Sequence, residues 1–250
     1  MRQATGGIAG WNNDQNLKTQ DNRARRMDDA EDIGFHPERM ADVLKQVLNH
    51  EKVEKVLKDL QEMSPEDVDG YFWEQYLANC LMGVLLLTGA GVRPHVIARM
   101  QVQEFLAATP DEEGTMVVKV KNHKVYKHHG PCLVPFVVPG LYEAAKKFLN
   151  TFRYILYLPI SYLTCNLFRD PNDATGLLFA TENNTEIEMK RAHNWLKEKV
   201  LKDICTKKEL ENLKPNDWRH AWSNWGQEHE DPEINRIAYK AMCHSQVGLL

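Results

Sequence analysis

The chain has 250 residues, of which 43% are hydrophobic, 26% charged and 9% aromatic, a composition typical of a folded globular protein and not of a disordered or fibrous chain. No apolar run approaches the roughly 20 residues that a membrane-spanning helix needs, so we expect no membrane partner. The formal net charge of -4 excludes nucleic-acid binding through an overall basic field and leaves only a local basic patch for that purpose.

The cysteines and the N-terminus indicate an intracellular, reducing compartment. The five cysteines are odd in number and widely scattered, without the paired spacing of a disulfide framework or a zinc site. They are Cys80, Cys132, Cys165, Cys205 and Cys243. The N-terminus has no apolar core of the kind that a secretory signal carries.

The first half of the chain predicts an arm followed by helices. Residues 1–35 are rich in Gly, Asn, Gln and Asp and lack apolar periodicity, which favours a flexible arm. Residues 36–65 repeat apolar positions at intervals of three and four, which predicts one or two amphipathic helices. Ser64 is a candidate N-cap for the next helix, whose second half, "MGVLLLTGA", is apolar nearly all round and should be buried.

The second half combines short strands with helices. "TMVVKVKN" and "CLVPFVVP" predict a β-hairpin whose connection, "HKVYKHHG", is crowded with Lys and His. Helices are predicted from "LYEAAKKFLNTFRYILYL", from "EIEMKRAHNWLKEKVLKDI", and after Pro215 and Pro232, with a strand-like "LLFAT" among them. The fold class is therefore mainly α with a small antiparallel β-sheet (α+β).

Arg93 follows the end of the buried helix in "TGAGVRPHVIARM" and opens the next helix with Pro94 in its first turn. A helix end at Thr88-Gly89 and a proline-started helix would present the guanidinium from a rigid corner. A planar, permanently charged fork suits two phosphate oxygens at once. The alternative is an ordinary surface arginine at a helix start.

The order of several motifs resembles the signature of tyrosine recombinases, the phage-integrase-like family. These motifs are Thr88-Gly89 with Arg93, the lysine-bearing hairpin, "NDWRH" and "CHS". "HKVYKHHGPCLVPF" is similar to the hairpin of eukaryotic, mobile-element-derived (Crypton-like) members. The resemblance implies the DNA breaking-rejoining catalytic fold over residues 66–250, C-terminally short of the nucleophilic tyrosine, and makes residues 36–65 a possible remnant of a core-binding domain.

The resemblance also implies a set of site residues. The catalytic positions are Arg93, Lys124, Asn216, Arg219 and His244. The DNA-binding positions on the hairpin are Lys121, His123, Lys127 and His128, of which Lys121 and Lys127 are also register alternatives to Lys124. Two features depart from the family: Val96 occupies a position where an acidic residue is common, and Asn216 replaces the usual His, which keeps a hydrogen-bond donor but no proton carrier.

The chemistry that the resemblance implies is metal-independent strand cleavage and rejoining. Two arginines would neutralise one scissile phosphate, a lysine would protonate the leaving 5′-oxygen, and a tyrosine would form a phosphotyrosyl link. That tyrosine is expected beyond Leu250, since Tyr239 lies on the wrong side of His244. The interpretation is therefore a recombinase domain for site-specific DNA integration and recombination, which is incomplete here, would be active in a longer form and is expected to be inactive as this chain alone. The alternative is a catalytically inactive, mobile-element-derived DNA-binding or regulatory protein.

Partners and rival interpretations follow from the same residues. The expected partner is double-stranded DNA in the nucleus, with self-association on DNA and without a metal or small-molecule cofactor. The histidines of the hairpin lack Cys or carboxylate partners at metal-ligand spacing. The stripe of Trp218, Trp222 and Trp225 predicts core packing in preference to base stacking. A third interpretation is a plain helical interaction domain whose arginines share no site.

Overall fold

A computed structural model describes residues 37–62, 70–89, 91–123, 126–155, 176–181 and 185–228. Its helices are α1 (Pro37–Leu48), α2 (Glu51–Glu62), α3 (Gly70–Thr88), α4 (Pro94–Ala98), α5 (Val102–Leu106), α6 (Tyr126–His129), α7 (Leu141–Ile155), α8 (Met189–Lys199), α9 (Lys207–Asn212) and α10 (Asp217–Glu228), with a 3-10 turn at Leu201–Asp203. Its strands are β1 (Thr109–Pro110), β2 (Met116–Val120) and β3 (Cys132–Pro135). Within this described part of the chain, no helix combines the length and apolarity needed to cross a bilayer.

Helix α3 lies at the centre of the hydrophobic core. From Leu77 to Thr88 every residue is buried except the half-buried Asn79, and the helix packs against α7 and α8. A Cβ atom at Gly83 would lie 3.1 Å from the carbonyl oxygen of Ala192 and 3.2 Å from the ring of Trp195. The missing side chain therefore lets α3 and α8 approach closely, and the predicted buried helix is confirmed.

The sheet has three antiparallel strands in the order β1-β2-β3. In the hairpin, Val118 faces Val134 and Val120 faces Cys132. Val118 and Val120 are buried whereas Lys119 between them is exposed, as the two-residue period of a strand requires. The mainly α class with a small antiparallel sheet is thus confirmed.

The predicted strand "LLFAT" is wrong. Residues 177 and 180 make only isolated bridges, Gln101 with Leu177 and Ala180 with Glu186. Between these bridges residues 178 and 179 form a bend, and the burial of Leu178, Phe179 and Ala180 accounts for the apolar run. The apolar run reflects burial in a bent segment and not sheet pairing.

Helices α1 and α2 confirm the amphipathic helices predicted in residues 36–65. Their apolar faces belong to the same hydrophobic core as α3, with α1 packed against α10 and α2 against α7. Arg39 of α1 also donates hydrogen bonds to Glu209 (3.0 Å) and to the carbonyl of Ile204 (2.9 Å). The division into a 1–35 arm, a 36–65 segment and a 66–250 domain stays a prediction, and Ser64 and Pro232 lie outside the described residues.

His193 of α8 is a buried histidine whose Nε2 atom finds no hydrogen-bond partner within the part of the chain that the structure describes. Its side chain is 4% exposed. Burial, with a smaller contribution from the charge of Lys197, lowers the pKa of His193 from 6.5 to about 4. The neutral imidazole is therefore the form that the folded protein accommodates.

We expect His193 to make the protein less stable in acid. The unfolded chain binds a proton near pH 6.5 and the folded chain only near pH 4, so the free energy of unfolding should fall by up to about 3 kcal/mol as the pH drops through this window. Urea unfolding at several pH values measures the effect. His193→Gln should flatten the curve in this window, whereas His220→Asn, at an exposed position, should leave it unchanged. A His193→Gln curve as steep as that of the wild type would contradict this assignment.

Candidate anion-binding site

The chain enters the candidate site through a tightly fixed corner after helix α3. The Thr88 hydroxyl donates a hydrogen bond to the carbonyl of Val84 (2.6 Å). A Cβ atom at Gly89 would lie 2.5 Å from the carbonyl oxygen of Leu85, a distance that only glycine avoids. Gly91 then adopts a positive φ of 73°, which costs glycine little. Two glycines therefore turn the chain at this corner, where larger residues would clash or be strained.

Arg93 stands at the end of this corner as the N-cap residue of α4. Its backbone is extended (φ -62°, ψ 133°) and Pro94 follows in the first turn. The carbonyl of Arg93 accepts a hydrogen bond from the Val96 amide at 2.8 Å. The backbone is thus fixed on both sides of Arg93, as the sequence predicts for a rigid presentation of its side chain.

The guanidinium of Arg93 lacks a counter-charge among the described residues. The side chain is half-buried, and its Nε atom is enclosed without a hydrogen-bond partner. No carboxylate of the described chain forms an ion pair with it. A cationic side chain whose Nε atom is enclosed without an acceptor is costly, and an anion bound beside this half-buried guanidinium would offset that cost electrostatically.

Further basic groups surround Arg93. The pKa of His95 is lowered by burial and by the positive charges of Arg93, Arg99 and His123, against an opposing effect of Glu186. These groups therefore lie within electrostatic range of His95, and we call Arg93, His95, Arg99 and His123 the basic cluster. Arg99 donates through Nε to Glu186 at 2.5 Å, so this carboxylate neutralises Arg99 and leaves Arg93 unpaired.

The connection between β2 and β3, residues 121–131, is called here the basic loop. It contains the short helix α6, where the sequence predicted a simple turn. Gly130 ends this helix with a φ of 72°, and its amide donates to the carbonyl of Tyr126 at 2.8 Å. The extra helical turn explains why "HKVYKHHG" is longer than a tight hairpin needs.

The predicted DNA-binding residues of the basic loop differ in exposure. Lys121 and Lys127 are exposed and are free to meet a ligand from solvent. His123 is 8% exposed, and its Nε2 atom lies 3.0 Å from the carbonyl of Gly130, so it closes the loop on itself. The backbone of His128 lies in α6, and Lys124 lies outside the described residues.

Arg219 lies on a different element from Arg93. It is 7% exposed on α10, the helix that packs against α1. No hydrogen bond or ion pair of the described residues joins it to Arg93. Asn216 precedes α10 and is exposed, and His244 lies outside the described residues. Whether these residues share one phosphate with Arg93 stays a prediction.

The tryptophan stripe packs as the sequence predicts where it is described. Trp218 is 2% exposed and belongs to the core, and Trp222 packs against it. The side chain of Trp225 lies outside the described residues. Trp218 and Trp222 therefore anchor α10 through its apolar face.

The sequence interpretation missed His95. Its separation of two residues from Arg93, in the first turn of the same helix, is the signal that could have identified it. In the described part of the chain its ring nitrogens make no hydrogen bond, so they are available to a ligand. No three His, Cys, Asp or Glu side chains of the described residues are grouped as metal ligands.

Comparisons with protein-family models, with curated proteins and with solved structures found no match to this chain. The interpretation of the site therefore depends on its own geometry and charge.

An anion at the basic cluster should raise the pKa of His95. A bound dianion favours the imidazolium over the neutral ring and opposes the lowering caused by burial, Arg93, Arg99 and His123. The measurement is an NMR titration of the histidine Cε1 protons in sulfate and in chloride at equal ionic strength. Sulfate should raise the pKa of His95 above its value in chloride, and the rise should be smaller in Arg93→Ala. Equal values in the two salts would contradict an anion site here.

Proposed function

We propose that this chain is a duplex-DNA-binding domain of the tyrosine-recombinase kind, which grips a backbone phosphate with Arg93 and the basic loop. The observation that carries this proposal is the guanidinium of Arg93, held by a fixed corner, with an enclosed Nε atom and no carboxylate partner among the described residues. A phosphate oxygen is the acceptor that such a fork binds best.

The charge distribution supports a phosphate polymer as the ligand. The whole chain is acidic, with a net charge of -4, so attraction for an anion must come from a local group of cations. Within the basic cluster Arg93 supplies this positive charge, since Arg99 is paired with Glu186 and the pKa of His95 is lowered by burial and by its charged neighbours. Lys121 and Lys127 add exposed charge on the basic loop. A ligand with regularly spaced phosphates could engage the cluster and the loop together.

The order of motifs supports DNA as the polymer and the recombinase fold as its framework. In this proposal Lys124, Arg219 and His244 complete the phosphate site with Arg93, and the nucleus is the compartment in which the domain meets DNA. Strand cleavage would need a tyrosine hydroxyl, supplied by a longer form, that attacks phosphorus and displaces the 5′-oxygen; the two arginines would stabilise the charge of the pentacovalent transition state, and Lys124 would protonate the leaving oxygen. Self-association on DNA belongs to the same proposal.

A second candidate function is DNA binding without cleavage. Asn216 stands where the family carries a histidine, and its amide cannot transfer a proton at neutral pH. Its exposure allows it to hydrogen-bond a phosphate without chemistry. This observation favours a binding or regulatory protein derived from a recombinase over an active one.

Loss of the Arg93 charge should weaken duplex binding and reduce its dependence on salt. Fluorescence anisotropy with a labelled duplex at several salt concentrations measures both. Arg93→Ala should weaken affinity by about 5- to 100-fold, as expected for a charged hydrogen-bonded contact, and reduce the slope of log affinity on log salt by about one. Arg93→Lys keeps the charge and should restore the slope while recovering only part of the affinity.

The matched control removes an exposed cation elsewhere. Lys58→Ala removes one positive charge from α2, where Lys58 is 68% exposed, and should leave the affinity nearly unchanged. A wild-type chain that does not bind duplex, or an Arg93→Ala chain that binds like Lys58→Ala, would refute the proposed site. Covalent trapping separates the two candidates in a longer version that supplies the nucleophilic tyrosine: on a duplex with a bridging 5′-sulfur as leaving group, only the cleaving candidate then yields a covalent protein-DNA adduct.

A further inference from the structure

Glu104 is a buried carboxylate that joins two segments of backbone. The residue lies in α5 and is 8% exposed. Its Oε2 atom accepts a hydrogen bond from the Gln101 amide at 2.9 Å, and its Oε1 atom accepts one from the Lys121 amide at 2.6 Å. The first bond closes the capping box of α5. The second reaches across to the sheet, which capping the helix does not require.

The second bond is made where the basic loop begins. Lys121 is the first residue after β2, and on the far side of the loop Cys132 begins β3 opposite Val120. His123 and Gly130 close the loop internally, but that contact does not orient the loop relative to the helices. The carboxylate of Glu104 does so, through a short, charge-assisted bond in a buried setting.

Glu104 also connects the basic loop to the element that carries Arg93. Only Arg99, Met100 and Gln101 separate α4 from α5. The segment at residues 176–178 fixes this connection through two backbone hydrogen bonds. The Leu178 amide donates to the carbonyl of Met100 at 2.7 Å, and the Val102 amide donates to the carbonyl of Gly176 at 2.9 Å. A continuous hydrogen-bonded path therefore connects Arg93, through helix α4 and Gln101, to the carboxylate of Glu104. From there the Glu104 carboxylate connects to the Lys121 amide of the basic loop.

We propose that Glu104 is a positioning residue of the anion site, which sets the basic loop at the separation from Arg93 at which both contact one phosphate backbone. The proposal rests on the proposed function. Both carboxylate oxygens accept hydrogen bonds from backbone amides, so in this proposal Glu104 acts by fixing the backbone that carries the cations and not by contacting the ligand itself. Phosphate contacts on the loop then depend on a residue that does not touch DNA.

The test compares two glutamates, Glu104 and Glu209, that each occupy the third position of a helix and close a capping box there. Glu104→Gln replaces one carboxylate oxygen by an NH2 group, which cannot accept from an amide. Glu209 is also the third residue of a capping box, with Thr206, and lies in α9, so Glu209→Gln is the matched control. Both variants should be less stable than the wild type. Only Glu104→Gln should weaken duplex affinity, by about tenfold, and lower the salt slope by about one.

A double-mutant cycle with Lys127→Ala separates positioning from general destabilisation. When Glu104 no longer holds the loop, removing Lys127 should cost less affinity than it does in the wild type, whereas the Glu209→Gln background should leave the cost unchanged. Faster hydrogen exchange of the Lys121 amide in Glu104→Gln would support the same conclusion without DNA. Glu104→Asp, which keeps the charge but is too short to reach both amides, provides a milder variant should Glu104→Gln not fold.

The outcomes distinguish this inference from the function on which it rests. A wild-type chain without salt-dependent duplex binding overturns both. Binding that needs Arg93 but is the same in Glu104→Gln, Glu104→Asp and the wild type overturns the positioning role alone. Additive effects of Glu104→Gln and Lys127→Ala overturn it as well, because a displaced loop must alter the contribution of its own lysine.

Discussion

The candidate site depends on one constraint, a half-buried guanidinium with an enclosed Nε atom that the described residues do not neutralise. Burying a cation without a partner is unfavourable, so the fold must fix Arg93 by other means. The Thr88-Gly89 helix end, the positive φ of Gly91 and the proline-started helix α4 do this through backbone geometry. Packing of the core around this corner therefore keeps the Arg93 guanidinium in position, and a bound anion would then stabilise its charge.

The parts of the fold that were predicted from sequence are those governed by local periodicity. The buried helix α3 and the hairpin of β2 and β3 follow from apolar patterns that only one secondary structure satisfies. "LLFAT" was misassigned because a short apolar run indicates burial without specifying the backbone that achieves it. Helix α6 was missed because its four residues show no apolar periodicity. Their number instead provides the separation at which the His123 ring reaches the carbonyl of Gly130.

The site was predictable in part for the same physical reason. Arg93 was found because glycine and proline constrain its backbone locally, and those constraints are visible in a single stretch of sequence. Glu104 was not found, because its role depends on the Lys121 amide, which only the tertiary structure brings near. His95 was missed although it lies two residues from Arg93 in the sequence. The order of motifs along the sequence predicts less about Arg219. The structure shows that Arg219 is buried on α10. Its proximity to Arg93 is implied by the family resemblance alone, and the described contacts do not test it.

The register of the hairpin has a consequence for how this surface can diversify. Val120 and Cys132 pair immediately before and after the basic loop, and the contact between His123 and the Gly130 carbonyl lies within it. Insertions, deletions or charge changes between these two residues would leave the pairing of β2 with β3 and the buried valines unaltered. The basic loop can therefore be exchanged as a cassette, which allows ligand preference to change while the core stays the same.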